Sequence, residues 1–76
     1  MSIIPILSSR QLLSALLKAG LKIIRQNGSH IRLYNPVTKR KTTLSMHAGD
    51  LSRKMITGII KQIGLSIKEF LDILGK

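Results

Sequence analysis

The chain is 76 residues long and 43% apolar, and it carries thirteen Lys and Arg against three acids, a formal net charge of +10. That length makes one domain, residues 1–76, with room for one core, and with Tyr34 and Phe70 as the only aromatics the core must be built from Leu and Ile. The lack of cysteine excludes a disulfide scaffold and thiolate metal sites, and two histidines with three acids are too few for a zinc or magnesium cage, so no metal or cofactor is expected.

Met1 to Leu7 is apolar but short, is interrupted by Pro5 and lacks a basic leader, so it reads as neither a signal peptide nor a membrane span. A soluble, cytoplasmic protein is expected. Ser8 followed by Gln11 forms a capping box that opens a helix from about Ser9 to Ala19, with Leu12, Leu13, Leu16 and Leu17 at helical spacing and Gly20 as terminator. Leu21 to Gln26 and His30 to Tyr34 are β-compatible runs joined at Asn27-Gly28, the sequence of a two-residue type I′ hairpin turn. Asn35-Pro36-Val37-Thr38 makes a second turn, and a third strand follows from about Lys41 to Met46. Ser52 caps a helix carrying Met55, Ile56, Ile59, Ile60 and Ile63 as far as Gly64. Ser66 with Glu69 opens a last helix with Ile67, Phe70, Leu71 and Leu74, ended by Gly75. The expected fold is α+β in the order α-β-β-β-α-α: a three-stranded antiparallel sheet with helices on one face and the other face open.

Alternation along the strands sorts the side chains. Ile31, Leu33, Thr42, Leu44 and Met46 face the helices, while His30, Arg32, Tyr34, Lys41, Thr43, Ser45 and His47 face away. A turn at Asn27-Gly28 places Arg25 opposite His30 and so on the same face. The same register sends Leu21 and Ile23 outward and Lys22 inward, which requires either a β-bulge or a partly apolar open face that meets a partner.

A basic face of this kind favours nucleic acid, anionic lipid or an acidic protein. RNA carries its own nucleophile, the 2′-hydroxyl, so its cleavage needs proton transfer and charge stabilisation but no metal. A free imidazole titrates near neutrality, which suits His30 to the proton transfer. Arg25, Arg32 or Lys41 could hold the developing anion, and Tyr34 could stack on an unpaired base. The plainer alternatives are a surface histidine beside a hairpin, a His47 that marks a loop edge, and a Lys39-Arg40-Lys41 run that is a solvated turn.

Several segments in order resemble the HicA toxin family: Ile6-Leu7-Ser8, Lys18-Ala19-Gly20-Leu21, Arg25-Gln26-Asn27-Gly28-Ser29-His30, Thr43-Leu44-Ser45-Met46-His47, and Ile59 to Ser66 with Glu69-Phe70-Leu71. The resemblance implies a double-stranded-RNA-binding-domain-like fold and a type II toxin with metal-independent mRNA interferase activity, neutralised by a cognate HicB-like antitoxin. It places the catalytic histidine at His30, with Gly28 and Ser29 completing that motif, and the family's second histidine at His47. Where the family usually has Pro two residues before that second histidine, this chain has Ser45, and Leu21 stands where an aromatic is common. Besides the endoribonuclease toxin, two other functions share the composition: a non-catalytic double-stranded RNA-binding module, with His30 as a phosphate or sugar contact, and a cationic membrane-active peptide. The hairpin signal and the paired capping boxes argue against the last.

Overall fold

The structure, a computed structural model, describes residues 4–46 and 49–75. In chain order it holds β1 (Leu7–Ser8), α1 (Ser9–Lys18), β2 (Lys22–Asn27), β3 (His30–Asn35), β4 (Arg40–Ser45), β5 (Asp50–Leu51), α2 (Arg53–Gln62) and α3 (Ile67–Leu74). The helix starts follow from their caps. Ser8 Oγ accepts the Gln11 amide at 3.1 Å while the Gln11 side chain accepts the Ser8 amide at 2.9 Å, and Ser66 and Glu69 make the same reciprocal pair at the head of α3. Ser52 caps α2 by accepting the Met55 amide at 3.2 Å.

The three long strands form an antiparallel sheet in the order β2-β3-β4, which is the α+β, double-stranded-RNA-binding-domain-like arrangement expected. Ile31, Leu33, Thr42 and Leu44 are buried beneath the helices, packed with Leu12, Ala15 and Leu16 of α1, Ile56 and Ile60 of α2, and Phe70 of α3. Met55 and Leu17, which keep helical spacing with the core residues, sit at its rim and are 55% and 42% exposed. The elements the sequence did not announce are β1 and β5, which pair antiparallel as Leu7↔Leu51 and Ser8↔Asp50. Two-residue strands are too short to show a period. Arg53 Nε, donating to the Ile4 carbonyl at 2.8 Å, ties the same N-terminal segment to the head of α2.

The first hairpin differs from expectation in its turn. Its central residues are Gly28 and Ser29, not Asn27 and Gly28, so Asn27 lies opposite His30 and Arg25 opposite Arg32. Gly28 has φ +62° and Ser29 stays at negative φ, the pattern of a type II′ turn, which takes glycine first, whereas type I′ would need positive φ at both. Asn27 is thereby released from the turn into the ladder. From Arg25 to Asn27 the partner of each β2 residue moves by two positions, so parity is kept there and Arg25 still shares a face with His30. Between Ile23 and Arg25 the register shifts, which makes Ile24 the extra residue of a bulge. The bulge resolves the expected conflict by turning Ile23 toward Leu33 and Lys22 toward Tyr34. The edge is still partly apolar, with Ile23 43% and Ile24 48% exposed.

At the far end of the sheet a polar pin joins the second turn to α2. Asn35 Nδ2 and Thr38 Oγ1 both donate to the Ile63 carbonyl at 2.8 Å, Asn35 Oδ1 accepts the Val37 amide at 3.0 Å, and Thr42 Oγ1 donates to Gln62 Oε1 at 2.7 Å. The turn closes with Lys39 at φ +60° and its amide on the Asn35 carbonyl at 2.7 Å, so β4 begins at Arg40 and ends at Ser45, one residue earlier at each end than expected. Gly64 faces this pin at φ +81°, and a methyl group there would meet Thr38 Cγ2 at 2.6 Å. Gly64→Ala should therefore cost about 1–2 kcal/mol from the backbone alone, plus the loss of the Thr38 bond. In urea unfolding the penalty should be smaller when Gly64→Ala is made on a Thr38→Ala background, because the collision is then gone.

Candidate nucleic-acid interface

The open face of the sheet is organised in three rows, each running across all three strands. Asn27, His30 and Ser45 form the first, Arg25, Arg32 and Thr43 the second, and Lys22, Tyr34 and Lys41 the third. Successive rows are about 7 Å apart along β3, two residues of extended chain. The Met46 amide donates to the Ser29 carbonyl at 2.6 Å, which makes Ser29/Met46 a hydrogen-bonded pair of the β3–β4 ladder. By alternation His30/Ser45, Arg32/Thr43 and Tyr34/Lys41 are then non-hydrogen-bonded pairs, whose side chains stand closer together.

The first two rows enclose a shallow depression of about 220 Å³ lined by Arg25, Asn27, His30, Arg32 and Thr43. His30, the first residue of β3, is exposed there, as are Arg25 and Arg32. Ser29 is half-buried in the turn, where its carbonyl fastens the hairpin to the end of β4. Tyr34, half-buried, and Lys41, exposed, lie one row beyond the depression on the same face. His47 lies outside the described residues. Gly28 supplies the turn, and Asn27, which the sequence marked only as a turn residue, also lines the depression. Thr43 and Lys22 were not singled out as site residues. Strand alternation shows Thr43 on this face, but placing it beside Arg32 requires the pairing, and Lys22 reaches the face only through the bulge.

No acid occurs anywhere from Lys22 to Ser45, while Lys22, Arg25, Arg32, Lys39, Arg40 and Lys41 are all basic. The three acids, Asp50, Glu69 and Asp72, belong to β5 and α3. The face therefore carries an unopposed positive field, with two guanidinium groups directly across from one another and an imidazole one row away. That arrangement can hold phosphoryl oxygens and exchange a proton beside them. Among the described residues, no three His, Cys, Asp or Glu side chains gather as metal ligands, and no helix is long and apolar enough to cross a membrane.

A family model described as the HicA toxin of bacterial toxin-antitoxin matches residues 9–65. No curated protein and no solved structure matches the chain. The matched span runs from α1 through α2 and includes every residue of the three rows.

Like charges directly opposite one another weaken a sheet, so Arg25→Gln or Arg32→Gln should raise stability by about 0.5 kcal/mol at low ionic strength, and by less in salt. Chemical denaturation checks the sign. Each variant should also bind a single-stranded RNA oligonucleotide more weakly and with a shallower salt dependence, measured by fluorescence anisotropy.

Proposed function

Because the chain belongs to the HicA toxin family of bacterial toxin–antitoxin systems, we propose that it is a metal-independent endoribonuclease, an mRNA interferase acting in the cytoplasm, with His30 as its proton-transfer group. The observation that carries this reading is the exposed imidazole in a depression walled by Arg25 and Arg32 on a sheet face with no acid.

In this reading RNA lies across the three rows with its scissile phosphate over the depression. His30 takes the proton from the 2′-hydroxyl as the 2′-oxygen bonds to phosphorus. The phosphorus–5′-oxygen bond breaks, the leaving oxygen takes a proton from water to become a 5′-hydroxyl, and the hydroxide so formed takes the proton from His30. The other product ends in a 2′,3′-cyclic phosphate. Arg25 and Arg32 hold the phosphoryl oxygens as negative charge builds on them, which is where fixed cations lower a barrier most. Lys41 carries a neighbouring phosphate, Ser29 offers its hydroxyl to the backbone, and Tyr34 offers a ring face to an unpaired base. His47, at the family's second histidine position, is assigned to the RNA-binding surface.

The partner in this reading is a HicB-like antitoxin that covers His30 and the surrounding cations with an acidic surface. Complementary charge accelerates such an encounter, so loss of Arg25 and Arg32 would slow antitoxin association as well as weaken RNA binding.

His30→Ala should lower cleavage of labelled RNA in the presence of chelator by at least ~10²-fold, the usual worth of a positioned acid or base, while leaving the unfolding transition and RNA affinity nearly unchanged. A 2′-deoxy substitution at the scissile nucleotide should stop cleavage at that position. Cutting of the deoxy strand would remove the 2′-hydroxyl mechanism, and tight, salt-sensitive binding without product would assign the face to a non-catalytic RNA-binding module.

A further inference from the structure

One polar group on the sheet face is not accounted for by the reading above. Ser45 ends β4 directly across from His30, and its hydroxyl oxygen is buried with no hydrogen-bond partner among the described residues. Its neighbours on this face are placed differently. Thr43 is exposed to water, and on the core side of the sheet the buried side chains of Asn35 and Thr42 are hydrogen-bonded. A buried hydroxyl without a partner costs folding free energy, and an alanine of similar size would avoid that cost. Packing therefore gives no reason for the oxygen to be there.

The pairing does give one. His30/Ser45 is a non-hydrogen-bonded pair, with Cα atoms about 4.5 Å apart, so rotation about the histidine side-chain bonds can bring a ring nitrogen to the serine oxygen without moving the backbone. We propose that Ser45 is a positioning residue for His30, its hydroxyl oxygen accepting the N–H of the ring nitrogen turned toward the sheet when RNA occupies the face. Which nitrogen of a neutral imidazole carries the proton is set by the bond its other nitrogen makes. With one N–H held by Ser45, the second nitrogen points outward as the acceptor of the 2′-hydroxyl proton. The charged groups sharing this face, Arg25 and Arg32 in the adjacent row with Lys22 and Lys41 beyond it, are all donors and cannot serve as that acceptor. The inference rests on the ribonuclease reading for its consequence in catalysis, but the contact itself can be tested apart from it.

The test uses the full chain and its Ser45→Ala and Ser45→Thr variants. Ring-nitrogen chemical shifts of His30, assigned by their loss in His30→Ala, are recorded with a bound RNA strand made uncleavable by a 2′-deoxy group at the scissile nucleotide. The wild type should show one dominant tautomer, Ser45→Ala should show mixed tautomers, and Ser45→Thr, which keeps the hydroxyl, should restore the single form. On cleavable RNA, Ser45→Ala should lower kcat about 10-fold, the worth of one hydrogen bond, with KM little changed. Its unfolding midpoint should be unchanged or higher, and Ser45→Thr should recover the rate. A wild-type ring signature and kcat in Ser45→Ala would overturn the proposal, as would a loss of activity that merely follows a loss of stability. Should the wild type leave all-ribose RNA uncut, the ribonuclease reading falls, and the tautomer pattern alone then decides whether Ser45 positions His30.

Discussion

The left-handed conformation of Gly28 is the constraint from which the sheet face follows. A two-residue turn fixes which residues of the two strands stand opposite, and glycine at its first central position selects the turn whose twist matches the strands. With Gly28 and Ser29 in the turn, Asn27 enters the ladder beside His30 and the two arginines come face to face. The bulge at Ile24 then resets parity, which lets a strand with adjacent isoleucines put Lys22 on the charged face and Ile23 on the core side. Without the bulge Lys22 would turn to the core side and Ile23 to the charged face, leaving Arg25 as the cation that β2 contributes.

That surface works against the fold that holds it. Six basic residues lie between Lys22 and Ser45 with no acid among them, and Arg25 faces Arg32. A chain of 76 residues has a small core and little stability in reserve. The compensation sits elsewhere: an aliphatic underside closed by Phe70, reciprocal caps at α1 and α3, and the bonds from Asn35 and Thr38 to the Ile63 carbonyl. Stability is thus concentrated on the helical side and at the far turn, and the hairpin end that presents His30 is left free to meet a polyanion.

How much of this was legible in the sequence depended on the range of the signal. Capping is local, so Ser8 with Gln11 and Ser66 with Glu69 announced their helices. Strand alternation is also local and correctly separated His30, Arg32 and Tyr34 from Ile31 and Leu33. Pairing is not local. Asn27-Gly28-Ser29 accommodates two turn placements, and choosing between them required the backbone angles. β1 and β5 are too short to carry a period, and Thr43 joins the depression only through its partner across the ladder. The isolation of the Ser45 oxygen lies in no motif at all, because it depends on what surrounds an atom rather than on which residue bears it.

Phe70 shows how far the fold extends past its recognisable portion. The family match stops at residue 65, yet this ring, on the helix that follows, is fully enclosed by the aliphatic layer beneath the sheet. A chain ending where the match ends would open a hole the size of a benzyl group in the core and leave α1 and α2 without the helix that packs against both. The terminal helix is therefore a keystone rather than an appendage.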